Sequence, residues 1–155
     1  MKIRLIIFVL FLYAPSSYSC PSLEGVWKSS LPISKKFNIS RAKIEKRTRE
    51  FRDQIIGKSS TTYVDGIMTI TFIETPTITI EGKESPWDSS EIVSEYKILG
   101  CTKNQLVLKW SAFHNDFIST LNFESENTYW IYEGMPNGTG NDHTREYFVR
   151  EHNGN

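Results

Sequence analysis

Histidine and cysteine, which often serve as metal ligands or catalytic groups, are scarce in this chain. It contains three histidines and two cysteines among 155 residues, and no His-x-x-x-His or Cys-x-x-Cys pair occurs. Such pairs are the usual sign of a metal site, because they hold two ligands close together. The Ser-rich segments lack the context of an exposed nucleophile, and the Gly-rich segment 137–141 lacks the Lys-Ser/Thr pair of a phosphate loop. We therefore expect no catalytic residue, no metal and no cofactor, and a protein that is not an enzyme.

Long apolar runs are also absent beyond the start of the chain. Two basic residues precede the apolar run 5–13, which is about half the length of a membrane-spanning helix. Serines stand one and three positions before Cys20, as in a secretory cleavage site. We expect a signal peptide at 1–19, no transmembrane anchor, and a secreted or periplasmic domain at 20–155.

The two cysteines allow two interpretations. Cys20 would follow the cleavage site directly, where a bacterial lipoprotein carries its lipid. Such signals usually have Leu where this chain has Ser17, and acylation would leave Cys101 as a lone thiol in an oxidising compartment. We favour a Cys20–Cys101 disulfide over lipoprotein anchoring. The chain-entropy model gives such a long loop about 4 kcal/mol of stabilisation, less any strain.

Acidic and basic residues nearly balance, but they are unevenly distributed. Without residues 1–19 the chain has 16 basic and 18 acidic side chains, so nothing indicates a nucleic-acid partner. Residues 35–52 alone carry a net charge of +6. The segment 40–56 has no Gly or Pro and repeats apolar residues at helical spacing, which predicts one amphipathic helix. Its basic face is either a surface for an anionic partner, protein or lipid, or an ordinary solvated face.

From residue 61 onward the apolar residues repeat with a period of two, which is typical of strands. Asp65-Gly66 separates two such runs and predicts a two-residue hairpin turn. Further alternating segments lie at 78–80, 92–98, 106–110, 117–123, 128–133 and 145–151. Eight to nine short strands favour a mainly β fold, either a closed antiparallel barrel or a sandwich. A barrel has the advantage that closure hides both sheet edges.

Residues 23–27, Leu-Glu-Gly-Val-Trp, resemble the opening motif of the lipocalins and the wider calycin group. In that family the Trp closes one end of the barrel beneath an Arg of the last strand. The resemblance therefore implies structural roles for Gly25, Trp27 and Arg150, and an Arg stacked on an indole gains cation–π attraction. It implies a single lipocalin-like antiparallel β-barrel of about eight strands. The helical pattern of residues 40–56 adds one amphipathic α-helix after the first strand.

This chain departs from the lipocalins in three ways. It has no Thr-Asp-Tyr motif, no helix between the last two strands, and a long basic helix where a loop is usual. It also resembles a group of small exported bacterial proteins to which no activity is assigned, through residues 20–29, 99–101, 130–132 and 145–148. That second resemblance implies a shared fold and a shared disulfide.

An eight-stranded barrel has room either for a solid core or for one small ligand. The residues that we consider candidates for lining a cavity are Met68, Ile70, Phe72, Leu108, Trp110, Trp130 and Tyr132. Two functions follow from the two alternatives. One is an exported, non-catalytic protein that holds a small hydrophobic molecule. The other is a protein-binding module, such as an inhibitor or envelope accessory factor, that uses the basic helix or the loops around Trp87 and Asn137.

Overall fold

A computed structural model describes residues 19–42, 44–73, 77–80, 82–86, 91–112, 114–132 and 144–151. The strands are β1 (Gly25–Ser29), β2 (Ser59–Val64), β3 (Ile67–Phe72), β4 (Thr77–Ile80), β5 (Lys83–Pro86), β6 (Glu91–Thr102), β7 (Gln105–Ala112), β8 (Asn115–Ser125), β9 (Thr128–Tyr132) and β10 (Arg145–Arg150). The helices are α1 (Leu31–Arg41) and α2 (Lys46–Ile55). The predicted signal peptide, apart from Ser19, lies outside these residues, as do Trp87 and Asn137.

Eight strands close into an antiparallel barrel in the order β1-β2-β3-β6-β7-β8-β9-β10, and β10 pairs with β1. The chain runs up and down around this barrel, while β4 and β5 form a separate hairpin. Asp65 and Gly66 connect β2 to β3 with φ angles of 49° and 79°, as a type I′ turn requires. The predicted mainly β fold and eight-stranded barrel are confirmed.

The up-and-down order sorts the connections between strands into two ends. One end, the closed end, carries the entry into β1 and the short β2–β3, β6–β7 and β8–β9 turns. The opposite end, the helical end, carries α1 and α2 between β1 and β2, and the β4–β5 hairpin between β3 and β6. The β7–β8 and β9–β10 connections also lie there. The long connections between barrel strands, which contain both helices and the β4–β5 hairpin, are therefore concentrated at the helical end.

Large apolar side chains fill the closed end. Trp27 and Leu106 are completely buried, and Tyr129 and Phe123 pack against the indole of Trp27 with ring centroids 4.7 and 6.0 Å away. The guanidinium carbon of Arg150 lies 4.3 Å from the centroid of the Trp27 ring. Arg150 also donates hydrogen bonds to carbonyl oxygens of the segment before β1. Arg150 therefore covers Trp27 at this end of the barrel, as the family resemblance implied.

A disulfide joins the segment before β1 to the end of β6. Cys20 and Cys101 are separated by 81 residues in sequence, and their Cα atoms lie 5.6 Å apart. The predicted pairing is confirmed. The bond uses the Cys20 sulfur that a lipoprotein would acylate, and it holds the chain entry against the closed end of the barrel.

The basic segment is two helices instead of the predicted single helix 40–56. Ala42 and Glu45 are extended between them, and Ala42 is buried. The first helix starts earlier than predicted because Ser30 is extended and Pro32 fits the first turn of a helix. Gly57, with φ of 88°, lies just after the end of α2. Among the described residues, neither helix has the length and apolar composition needed to cross a membrane.

Candidate functional site

The inner wall of the barrel becomes polar toward the helical end. Strand alternation places Ser29, Ser59, Thr61 and Ser94 on the inner face, and all four are buried. Thr61 pairs with Ile70 across the β2–β3 ladder, which fixes its side of the sheet. Short hydroxyl side chains occupy less volume than the Leu and Trp residues at the closed end. This part of the interior therefore offers hydrogen-bonding groups.

Two charged side chains are buried at the helical end. Ser29 donates its hydroxyl hydrogen to Glu146 and accepts a hydrogen bond from the Gly57 amide at 2.8 Å. Arg52 of α2 is only 8% exposed and donates to the Thr144 hydroxyl. Burying a charge is costly unless it is hydrogen-bonded, so these contacts are needed to keep both groups inside. They also connect α2 to the end of the barrel.

Two tyrosines are buried within the apolar core of the barrel. The hydroxyl oxygens of Tyr63 and Tyr129 lie 3.4 Å apart. Burial raises the pKa of Tyr63 to about 12, because the ionised form would lose its hydration. Burial also raises the pKa of Tyr129 well above its ordinary value, with further contributions from Tyr63 and Glu146. Both side chains are therefore neutral at physiological pH.

Five of the predicted cavity residues lie on the inner face of the barrel: Met68, Ile70, Phe72, Leu108 and Trp110. Met68 and Leu108 are buried within the apolar core, and Ile70 and Trp110 pack against it while keeping partial exposure. Phe72 is half-buried. The structure thus brings these residues to a common side of the sheet, at different depths.

Tyr96, Trp110 and Phe117 form one row across β6, β7 and β8, which we call the aromatic wall. Trp110 stacks on Phe117 with ring centroids 4.7 Å apart and donates from Nε1 to the Ser119 hydroxyl at 2.9 Å. Phe117 is 37% exposed although it lies on the inner face, and the other two rings are half-buried. Water therefore reaches the inner surface of the barrel at the aromatic wall.

The remaining two cavity candidates, Trp130 and Tyr132, lie on the outer face. They pair with Tyr147 and Arg145 of β10. Tyr129, which precedes Trp130, lies on the opposite, inner face and belongs to the core. The guanidinium carbon of Arg145 lies 3.6 Å from the Trp130 ring centroid and 4.1 Å from that of Phe37 in α1. This corrects their predicted inward orientation. Aromatic residues occur on both faces of β9, so hydrophobicity alone does not identify the inner one.

Strand β1 pairs only with residues 148–150 of β10. Polar side chains of α1 form hydrogen bonds with the backbone of the earlier part of β10. The Tyr147 amide donates to the Ser34 hydroxyl at 2.9 Å. The Arg145 amide donates to Asn38 Oδ1 at 2.9 Å, and Asn38 Nδ2 donates to the Arg145 carbonyl at 3.0 Å. Sequence analysis missed these residues. Their only sequence signal is the i, i+4 spacing of Ser34 and Asn38 on one helix face.

Two of the surface clefts among the described residues lie away from the aromatic wall. The larger, about 730 Å³, lies at the closed end between residues 19–22, the β6–β7 and β8–β9 turns, and Arg150. The smaller, about 340 Å³, lies beside the start of α1. None of the predicted cavity residues lines either cleft, so these clefts are distinct from the aromatic wall.

The part of the chain that the structure describes contains no group of three or more His, Cys, Asp or Glu residues that could hold a metal ion. His143 and His152 lie outside it. No protein-family model matches the chain, and no curated protein is significantly similar to it.

Proposed function

We propose that this chain is an exported, non-catalytic binding protein that holds a small hydrophobic molecule against the aromatic wall. The observation that carries the proposal is the partial exposure of Trp110 and Phe117 on the inner face of the barrel. Sites for small molecules typically combine aromatic walls with a few polar groups that orient the ligand. The hydroxyl and carboxylate groups at the helical end are suited to that second role.

The disulfide supports export. Structural disulfides persist in oxidising compartments, whereas the cytosol keeps thiols reduced. Cys20 and Cys101 are paired, and the sequence before Cys20 has the pattern of a secretory signal. The proposed location is therefore the periplasm or the extracellular medium.

The chemistry of the buried polar groups supports a non-catalytic role. The Ser29 hydroxyl donates to the Glu146 carboxylate and accepts from the Gly57 amide, so these two contacts hold it in place. Tyr63 and Tyr129 are held neutral by burial and cannot accept a proton from a substrate near neutral pH. Among the histidines, His114 is the one the structure describes, and it lies in the β7–β8 turn. We propose that these groups orient a ligand.

A second candidate function is protein binding by a barrel with a solid core. The observation that favours it is the exposure of apolar residues on the barrel surface: Val93 of β6 and Ile118 of β8 are each more than half exposed. Such residues are available to contact a partner. Under this alternative no ligand binds at the aromatic wall, and only substitutions on the outer surface of the barrel impair function.

The proposal is tested by binding of the hydrophobic dye 1-anilinonaphthalene-8-sulfonate to protein purified from its own host. We expect saturable binding that weakens about ten-fold in Trp110→Ala, since an aromatic contact is worth about 1.4 kcal/mol or more. Trp130→Ala is the matched control, because that indole lies on the outer face. Native mass spectrometry of the same preparation should show a retained small molecule.

Two results would contradict small-molecule binding. One is equal dye affinity in wild type and Trp110→Ala with no retained molecule in the mass spectrum. The other is a greater loss in Trp130→Ala than in Trp110→Ala, which would place the bound dye on the outer surface beside α1.

A further inference from the structure

The polarity of α1 is the reverse of that expected for a helix packed on a barrel. Ser34 and Asn38 are buried against β10, where their side chains bind its backbone. Ile39 is 62% exposed, and Ile33 on the same helix is also exposed. A surface helix ordinarily turns its apolar residues toward the core and its polar residues toward water. The outward isoleucines are therefore not explained by packing within this chain.

Basic side chains surround these isoleucines. Lys35, Lys36 and Arg41 are exposed on α1, and α2 adds exposed Lys46 after the connection. Lys35 lies 3.4 Å from Asp53 and Lys46 lies 3.6 Å from Glu50, but all four side chains are substantially exposed. Surface ion pairs of this kind are weak and leave the cations able to meet another anion.

Charge is also segregated over the whole domain. Residues 35–52 carry +6, whereas the remainder of the chain after residue 19 carries −8. A molecule with this distribution orients its helical segment toward an anionic surface and its remaining acidic residues away from it. The outer face of α1 combines exposed isoleucines with part of this cationic charge, carried by Lys35 and Lys36.

We infer that the outer face of α1, formed by Ile33, Lys35, Lys36 and Ile39, docks onto the headgroup region of an anionic lipid bilayer. Isoleucines inserted among the headgroups supply apolar burial, and the flanking cations pair with lipid phosphates. The composition favours lipid over a protein partner. Protein interfaces are enriched in Trp, Tyr and Arg and depleted in Lys, and the aromatic residue of α1, Phe37, is already packed against Arg145.

Vesicle flotation of the protein purified from its own host tests this inference. Vesicles containing phosphatidylglycerol are compared with vesicles of phosphatidylcholine alone. We expect salt-sensitive binding to the anionic vesicles only, reduced about ten-fold by Lys36→Glu because a charge is reversed at the surface. Ile39→Ser should also weaken binding several-fold.

Matched controls lie on the outer face of the barrel away from α1. Lys97→Glu reverses an exposed charge on β6, and Ile118→Ser removes an isoleucine that is 70% exposed on β8. Both should bind anionic vesicles as wild type does. Circular dichroism verifies that all four variants retain the fold, and each substitution is at a surface position.

Several outcomes would overturn the docking inference. These are no binding to the anionic vesicles, equal binding to both kinds of vesicle, or equal losses in the α1 variants and the controls. Capture of a purified acidic protein through Lys36 without vesicle binding would also overturn it and would assign the surface to a protein partner. Dye binding at the aromatic wall is independent of all these outcomes.

Discussion

The interior of the barrel is filled by different kinds of side chain at the closed end and at the helical end. At the closed end Trp27, Leu106 and Tyr129 are almost completely buried in one apolar cluster, and the rings of Trp27 and Tyr129 are in contact. At the helical end Ser29 and Glu146 are buried as hydrogen-bonded partners. Dispersion and apolar burial stabilise the first end, whereas the second depends on pairing polar groups that would otherwise be costly to bury.

This difference has a functional consequence. Large buried side chains anchor the closed end, where the larger cleft lies on the outside. Trp110 and Phe117 leave part of the inner surface accessible nearer the long connections. Under the proposed function, the closed end contributes mainly to stability and the aromatic wall to binding.

The largest expected effect is at the closed end. Trp27→Ala should lower the free energy of unfolding by about 3–5 kcal/mol, because the indole is fully buried and its removal leaves a cavity beneath Arg150. Phe117→Ala at the aromatic wall should cost only about 1 kcal/mol, since water already reaches that ring. Urea denaturation measures both. Equal losses would mean that the two ends are packed alike.

The next effect concerns Tyr63 in the apolar core and depends on pH. The pKa of Tyr63 is raised from 10.0 to about 12 in the folded protein, so the unfolded chain releases this proton first as pH rises. Stability from this group is therefore complete below pH 10 and decreases between pH 10 and pH 12, by about 3 kcal/mol at most. Urea denaturation across this range should show the decrease.

Tyr63→Phe is the control for that pH dependence. The variant lacks the titrating hydroxyl and should lose part of the decrease above pH 10, with the rest contributed by Tyr129. A pH profile identical to that of the wild type would mean that Tyr63 ionises as freely in the folded barrel as in the unfolded chain.

Much of the fold could be predicted because two-residue alternation directly encodes an inward and an outward face. The β2–β3 hairpin and the inward positions of Met68 and Ile70 follow from it. The pairing of Trp27 with Arg150 came from family resemblance instead. Alternation fails at β9, where Trp130 on the outer face is as apolar as Tyr129 on the inner one.

The candidate site was harder to predict than the fold. Ser29 and Thr61 resemble solvent-facing strand residues in sequence, and only the closed register shows that they line the interior. The position of α1 was missed for a related reason. Its buried face consists of Ser34 and Asn38, so hydrophobic periodicity does not identify the side that packs on the barrel.

Fluorescence quenching by acrylamide tests the contrast between the two ends most directly. A variant with Trp87→Phe and Trp130→Phe retains only Trp27 and Trp110, one at each part of the interior. We predict that acrylamide quenches one component of its emission, that adding Trp110→Phe removes this component, and that bound dye protects it. Emission that resists acrylamide while Trp110 is present would show a solid core and contradict binding at the aromatic wall.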